Sequence, residues 1–359
     1  MKKKVIGILL TAAMTLSTIT GCGQSNKPEA PDATINLAMV RTDVTGKIVI
    51  YTSMYDDIID DVRKEMKEVF PNLEVEFFQG GTGTIQSKIE TEMDLGKLGC
   101  DILMVAEPSY SLELKEKGVL HPYKYSEADK LKFDYDKEGY WYPVRTLNMV
   151  LAYNPDIYDK SQVPHTMKGF AEDSSVKGEI SMSNPLTSGT AYASIVALLD
   201  KYGEGYFKSL GLQNVAIESG SDALTRLESG ECKEAMILEE SVLKKRQEEG
   251  SSLEVIYPDD GCIPVPSTIM IVDDKYSANA NTAAAEAVED YFLSPAGQLQ
   301  IVKGWMYSVR SDVNKYPYDG IPLTDLLKNT IPVDWNRCYK DREEIRTLFQ
   351  EYVTVPETC

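Results

Sequence analysis

Histidine and catalytic motifs are scarce in this sequence. Among its 359 residues there are two histidines, His121 and His165, and neither lies in a recognisable catalytic signature. No GxSxG, HExxH, Walker-type or GxGxxG motif occurs. These absences argue against an enzyme, and they predict a protein that needs no cofactor.

Paired cysteines are also missing. The chain has six cysteines, and no two of them form a CxxC pair. Beyond Cys22 the remaining five are scattered and odd in number, which favours neither a disulfide framework nor a zinc site. We therefore expect buried thiols that pack as small apolar groups, and no metal centre.

Positive charge is the third deficit. Lysine and arginine total 37 against 56 acidic residues, which gives a formal net charge of −19. Nucleic acids require a basic footprint, so this balance predicts no nucleic-acid partner. The composition, 43% hydrophobic and 26% charged, is that of a globular protein long enough for one large or two medium domains.

The long hydrophobic run of the sequence lies at the N-terminus. Three lysines follow Met1, and Val5–Thr20 is then apolar or small but too short to span a bilayer comfortably. Ile19–Cys22 (ITGC) matches the bacterial lipoprotein cleavage box. We predict a signal peptide over residues 1–21, a lipidated Cys22, and a tether over residues 22–45 that holds the protein on the extracytoplasmic side of the cell membrane.

A repeated strand–loop–helix pattern follows the predicted tether. Short apolar strands are predicted at Lys47–Thr52, Leu73–Gln79 and Asp101–Ala106, and each is followed by a loop and a helix-like segment. This alternation predicts an α/β fold with a mainly parallel sheet. Since ligands of such sheets bind beyond the carboxyl ends of the strands, we expect the loops to converge on one crevice.

Three of these loops have the composition of anion sites. Thr187–Thr190 joins the predicted strand Glu179–Ser183 to a helix, and Gly80–Thr84 and Ser219–Ser221 have the same arrangement. A helix N-terminus offers free backbone N–H groups and a positive dipole end to an anion. Ser and Thr at such positions are equally typical of ordinary helix caps, so both interpretations stay open here.

Nine segments, in order along the chain, carry a resemblance to a known family. They are IVIYTS, FFQGGTGTIQSKIETE, GCDILMV, LAYNPD, SMSNPLTSGTAY, IESGSDALTRLESGE, EVIYPDDGCIPVPSTIMIV, YFLSPAGQLQIV and YSVRSDV. Over residues 46–315 the chain resembles the ABC-transporter solute-binding proteins, in particular the family that binds ferric iron, 2-aminoethylphosphonate and sugar phosphates.

The resemblance implies a two-lobed, type II periplasmic-binding-protein fold with two hinge crossovers, at Asn148–Asn154 and Leu253–Val265. Residues 46–152 plus 266–315 are then expected to form lobe I, and residues 155–258 lobe II. A C-terminal helical segment, residues 316–359, is expected to pack on lobe I. The resemblance also implies a monomer that delivers its solute to a permease and an ATPase.

The resemblance also indicates a ligand. Iron-binding relatives have adjacent tyrosines where this chain has Glu239-Glu240-Ser241, which argues against ferric iron. Either glutamate suits a ligand ammonium, although acids are also common at a solvated helix start. We therefore predict a small anion or zwitterion such as 2-aminoethylphosphonate, with ferric iron and an extracellular hydrolase as alternatives. The predicted ligand-binding residues are Ser53, Tyr55, Gly81, Thr82, Thr187, Ser188, Gly189, Thr190, Ser219, Gly220, Ser221, Glu239 and Glu240.

Overall fold

A computed structural model of the protein describes residues 40–355. The predicted signal peptide, the predicted lipidation site Cys22 and most of the predicted tether lie outside the described residues. Within them, four cysteines, Cys100, Cys232, Cys262 and Cys338, are free and buried. No helix in this part of the chain is long and apolar enough to cross a membrane.

Between residues 40 and 355, ten strands form one mixed sheet, and most of them are short apolar runs with buried side chains. The alternation of strands with helices begins as the sequence predicts, with a β–α–β–α–β series. The strands are β1 (Gly46–Thr52), β2 (Leu73–Gln79), β3 (Ile102–Ala106), β4 (Leu120–His121), β5 (Tyr142–Tyr153), β6 (Ile180–Ser183), β7 (Ala216–Glu218), β8 (Glu234–Leu238), β9 (Glu254–Ile256) and β10 (Ile263–Val272).

The helices cover both faces of the sheet and supply its apolar layers. In the first of them the buried residues recur every three or four positions, as a helix with one face on the core requires. The helices are α1 (Asp56–Val69), α2 (Thr82–Asp94), α3 (Ser109–Glu116), α4 (Met167–Glu172), α5 (Gly189–Tyr202), α6 (Gly205–Gln213), α7 (Gly220–Ser229), α8 (Glu239–Glu249), α9 (Thr282–Leu293), α10 (Pro295–Lys303), α11 (Leu323–Leu326), α12 (Trp335–Lys340) and α13 (Arg342–Tyr352).

The strand order is β2-β1-β3-β10-β5-β8-β6-β7, with β4 on β10 and β9 on β5. At each end the strands pair in parallel, β1 with β2 and β3 in one half and β6 with β7 and β8 in the other. The two central strands, β5 and β10, pair antiparallel with each other. The predicted α/β class is therefore confirmed, and each half of the sheet is the centre of one lobe.

Strands β5 and β10 connect the two lobes. Over its first part β5 pairs with β10, and from Met149 to Tyr153 it pairs with β8 of the second lobe. The pairing changes partner within the segment predicted as the first crossover. In the second, β9 pairs with the second-lobe end of β5 and β10 continues onto β3 of the first lobe, so both predicted hinge crossovers are confirmed. Strand β5 begins at Tyr142, earlier than predicted, and all twelve of its residues are buried.

The C-terminal helices contact more of the molecule than the prediction named. Phe349 of α13 packs edge-on against Phe207 of α6, with ring centroids 5.1 Å apart, and the Tyr192 hydroxyl of α5 donates to the Cys338 carbonyl at 2.7 Å. Both of these partners belong to the second lobe. The segment also contacts lobe I, because Leu323 and Leu326 of α11 share an apolar cluster with Tyr307 and the Tyr339 hydroxyl donates to Glu116 at 2.8 Å. It therefore contacts both lobes, where the prediction named lobe I alone.

Candidate functional site

A cavity of about 410 Å³ lies between the lobes, where the carboxyl ends of the parallel strands face one another. Loops from both lobes form its wall, as the convergence of strand ends requires. Twelve of the thirteen predicted residues line it, although contact with a ligand stays a proposal. They are Ser53, Tyr55, Gly81, Thr82, Thr187, Ser188, Gly189, Thr190, Ser219, Gly220, Ser221 and Glu240.

Five helices begin at the cavity wall. Residues at or beside the N-termini of α1, α2, α5, α7 and α8 all line the cavity. The first amides of a helix have no partner within the helix, and the helix dipole makes this end positive. Since five such ends face one space, the backbone alone gives the cavity a preference for anions.

The start of α5 contributes hydroxyl groups to this backbone site. Ser188 is the N-cap, and its Oγ accepts a hydrogen bond from the Ala191 amide at 3.3 Å. The same Oγ lies 3.1 Å from Oγ1 of Thr190. Both hydroxyls line the cavity, so capping and anion binding are compatible functions of the same side chain.

The starts of α2 and α7 are built differently. Gly81 is the N-cap of α2 and has no side chain with which to cap it, so no side-chain oxygen occupies the first amides. Ser219 caps α7, because its Oγ accepts from the Asp222 amide at 3.1 Å. That hydroxyl also lies 2.7 Å from Asp222 Oδ2, to which it donates. Ser219 is therefore the least available of the predicted hydroxyl donors.

A buried arginine lies directly behind the wall. The side chain of Arg145 is fully buried, and its guanidinium donates to the Ser53 hydroxyl at 3.1 Å. Ser53 Oγ also accepts from the Ala106 amide at 3.2 Å. Since both bonds use the oxygen as acceptor, the Ser53 O–H is free to donate into the cavity.

Glu240 is the acidic residue most deeply buried in the wall. It is 6% exposed, and its Oε2 has no hydrogen-bond partner in the described residues. Burial raises the pKa of its carboxyl to about 7, against the opposing effect of the Arg145 charge. Burial also lowers the pKa of Arg145, which Glu240 counteracts. A buried carboxylate with a free oxygen is costly unless a ligand satisfies it.

Glu239 does not line the cavity, and here the predicted placement is wrong. Its carboxylate accepts hydrogen bonds from the Asn148 amide at 2.9 Å, the Tyr307 hydroxyl at 2.9 Å and the Tyr257 hydroxyl at 2.5 Å. Asn148 lies in the first crossover and Tyr257 in the second. Glu239 therefore joins the two hinge segments, and its carboxylate is buried away from the cavity wall.

The lobes touch around the cavity. The Gly83 amide of the first lobe donates to the Thr187 carbonyl of the second at 2.9 Å. On another side, the Tyr55 hydroxyl lies 3.3 Å from Ser241 Oγ. Trp305 Nε1 also donates across the lobes, to Gln247 Oε1 at 2.8 Å. The structure therefore shows the lobes closed over the cavity.

Nine further residues that line the cavity were not predicted from the sequence. Five of these residues are the last residue of a strand, a position that the sequence pattern does reveal. In the described residues, no group of three or more His, Cys, Asp or Glu is placed to hold a metal ion. The missed lining residues are Asp56, Gln79, Thr84, Ala106, Leu147, Ser183, Asn184, Glu218 and Leu238.

The chain matches a known protein family. Residues 100–326 match the family model described as bacterial extracellular solute-binding protein. Because the match covers more than half of the chain, the protein belongs to this family, and the resemblance predicted from the sequence is confirmed. The family is extracellular, in agreement with the predicted extracytoplasmic location.

Individual relatives are distant. An uncharacterized protein of Haemophilus influenzae is 24% identical over 231 residues, which are 60% of this chain and 65% of that protein. The chain thus spans somewhat less than two thirds of the length of this curated relative. At such distance the relative identifies no ligand.

Solved structures support the fold. AfuA from Actinobacillus pleuropneumoniae, a periplasmic binding protein with bound fructose-6-phosphate, has a TM-score of 0.75 at 22% identity, over 87% of this chain and 99% of that one. Iron-bound HitA from Pseudomonas aeruginosa has a TM-score of 0.71 at 18% identity, over 85% and 99%. The two-lobed type II periplasmic-binding-protein fold predicted from the sequence is confirmed.

Proposed function

We propose that this protein is the solute-binding component of an ABC importer and that it captures a small phosphorus-containing anion or zwitterion between its lobes. The observation that carries the proposal is the convergence of five helix N-termini on one cavity. Our best candidate ligand is 2-aminoethylphosphonate, followed by a phosphorylated metabolite.

The anionic end of the ligand binds where donors are concentrated. The hydroxyls of Ser188 and Thr190 and the free O–H of Ser53 belong to this wall. A phosphonate or phosphate has three peripheral oxygens and accepts several short, charge-assisted hydrogen bonds. A carboxylate would leave part of this donor set unused.

The other end of the ligand binds at Glu240. Glu240 lines the cavity with a carboxylate whose hydrogen bonds are incomplete, which suits an ammonium or a ligand hydroxyl, since both donate hydrogen bonds. An aminoalkylphosphonate places an ammonium a few bonds from its anionic group, and a sugar phosphate places hydroxyls there. A volume of about 410 Å³ suits either compound, since small-molecule sites begin at about 300 Å³.

Two alternatives are less well supported. Ferric iron, the ligand in the HitA structure, would require oxygen ligands that replace a tyrosine pair. Of the two glutamates at this place, Glu239 is already held by three donors. A hydrolase would require an activated nucleophile, and His121 pairs with Glu286 while His165 bonds the Lys160 carbonyl, both outside the cavity wall.

The remaining parts of the proposal concern partners and location. Cys22 is proposed to carry a lipid that anchors the protein to the extracytoplasmic face of the membrane. From there a monomer would present its closed, loaded lobes to a permease with its ATPase subunits. Ligand that bridges both lobes stabilises the closed form, which is how the permease would distinguish loaded from empty protein.

A thermal-shift screen of the chain from residue 23 onward tests the function. The matched probes are 2-aminoethylphosphonate, ethylphosphonate, fructose 6-phosphate, inorganic phosphate and ferric citrate. We expect a phosphorus compound that carries an amine or hydroxyl to raise the melting temperature by several degrees at 100 times its dissociation constant. Stabilisation by ferric citrate alone would contradict the proposal.

A further inference from the structure

The start of α2 contacts the second lobe through backbone atoms. Gly83 is the second residue of α2, and its amide donates to the Thr187 carbonyl at 2.9 Å. The first amides of a helix have no acceptor within the helix. One of these free donors is therefore used across the lobe boundary.

No side chain fits at this contact. A Cβ on Gly83 would lie 2.5 Å from the Leu186 carbonyl oxygen and 2.9 Å from the Thr187 Cα. A Cβ on Gly81 would lie 2.7 Å from the Thr187 carbonyl oxygen. The obstructing atoms are backbone, so a rotamer change cannot relieve the overlap. Backbone geometry does not explain these glycines, since Gly81 has a φ of −57° and Gly83 is helical.

The second lobe has the same feature. Gly189, the first residue of α5, faces the start of α2. A Cβ on Gly189 would lie 2.7 Å from Thr82 Oγ1 and 3.1 Å from the Ala106 carbonyl oxygen. Glycine is thus placed on both sides of one interlobe contact.

From this geometry we propose that Gly81, Gly83 and Gly189 are positioning residues for ligand capture. Their missing side chains allow the N-termini of α2 and α5, one from each lobe, to come together over the same ligand group. We call this set of backbone contacts the closing contact. As far as it concerns ligand, the inference rests on the proposed function.

The closing contact forms when the lobes close, and neither lobe needs it to fold. Its partners sit on different lobes, so an opening motion separates them and exposes position 83 to solvent. Alanine is a better helix former than glycine, so Gly83→Ala leaves α2 intact or strengthens it. The substitution should therefore change the balance of open and closed forms while the unliganded protein stays folded.

Gly205→Ala is the matched control. Gly205 also lies at a helix start, that of α6, and a Cβ there meets nothing within 4 Å. Both substitutions add one methyl group near a helix N-terminus, and only Gly83→Ala places it between the lobes.

Distance measurement between the lobes tests the inference without any ligand. Spin labels are attached at Leu95→Cys and Leu212→Cys, which are 81% and 62% exposed and lie on different lobes, with Cys22 and Cys359 replaced by serine. We expect wild type and Gly205→Ala to share a population at the separation of this structure, and Gly83→Ala to reduce it about fivefold or more. A wild type without that population, or a Gly83→Ala variant that retains it, would overturn the inference.

Affinity provides a second measurement. For 2-aminoethylphosphonate or fructose 6-phosphate, whichever binds the wild type, Gly83→Ala should weaken binding about 10-fold or more, since closure is part of the binding free energy. Gly205→Ala should stay within about twofold, and an equal affinity for Gly83→Ala would also overturn the inference. If neither compound binds the wild type, the proposed ligand class fails, and the distance measurement still decides the closing contact.

Discussion

Glu239 and Glu240 are neighbours at the start of α8, yet they belong to different parts of the molecule. Glu239 faces the hinge, where three donors from the crossovers and the first lobe satisfy its carboxylate. Glu240 faces the cavity, where its Oε2 has no partner within residues 40–355. Successive residues of a helix point about 100° apart, which is enough to send two identical side chains to opposite surroundings.

Glu239 and Glu240 therefore have different functions. A buried carboxylate with all its hydrogen bonds made stabilises one arrangement of the hinge. A buried carboxylate with a free oxygen weakens the empty protein and gains when a ligand supplies the donor. The comparison therefore predicts that changes at residue 239 affect stability first, and changes at residue 240 affect binding first.

The largest effect is expected for Glu239→Ala. This change leaves two buried donors, on Asn148 and Tyr307, and the half-buried hydroxyl of Tyr257 without an acceptor. We expect the free energy of unfolding to fall by about 3–5 kcal/mol, measured by urea denaturation. Glu239→Gln keeps the shape and one acceptor oxygen and should lose about 1–2 kcal/mol. A loss below 1 kcal/mol for Glu239→Ala would contradict the hinge role.

The next effect concerns Glu240→Gln, which removes the charge and keeps the shape. The affinity for 2-aminoethylphosphonate should fall by about 1–3 kcal/mol, since the ammonium loses a charged partner. The affinity for ethylphosphonate, which has no amine, should change little. Isothermal titration calorimetry with the two compounds measures both, and equal losses would remove the role assigned to Glu240.

A smaller effect is expected in the dependence of stability on pH. Burial raises the pKa of Glu240 from 4.5 to about 7 in the folded protein. A raised carboxyl pKa stabilises the fold while the group is protonated, so this contribution is complete below about pH 4.5 and is lost as the pH rises through about 7. The free energy of unfolding therefore declines with rising pH. Glu240→Gln should reduce this decline by about 1–3 kcal/mol, measured by urea denaturation.

Glu107→Gln is the matched control for the pH dependence of stability. Burial also raises the pKa of Glu107 to about 7, with Arg342 opposing the shift. Glu107 does not line the cavity, so its substitution should flatten the stability profile without changing how ligand affinity varies with pH. With Glu240 intact, the affinity for an amine-bearing ligand should rise as the pH increases through about 7. If the affinity of the wild type did not vary with pH, the pairing of the ligand amine with Glu240 would be contradicted.

The location of the cavity could be predicted from the sequence for a physical reason. Carboxyl ends of parallel strands meet at one edge of a sheet, so the loops after Thr52, Gln79 and Ser183 had to approach one another. Strand and helix patterns identify those ends without knowledge of side-chain contacts. The anion-binding character followed, because helix N-termini occur at the same places.

Three features could not be predicted from the sequence. The period of α8 does not tell which of Glu239 and Glu240 faces the hinge, since both surroundings are buried. The glycines of the closing contact look like ordinary loop glycines, and the obstructing backbone atoms lie about a hundred residues away in the chain. The apolar face of α13 shows that the helix is buried, but not that Phe207 of the second lobe is its partner.

The most direct test of the central claim is the affinity of a Ser188→Ala, Thr190→Ala double variant. If helix N-termini and their hydroxyls bind the anionic group, calorimetry should show a loss of about 1–3 kcal/mol for each hydrogen bond removed. Thr166→Ala is the control, because it removes the cap of α4 away from the cavity. Unchanged affinity in the double variant, with the control also unchanged, would contradict the claim.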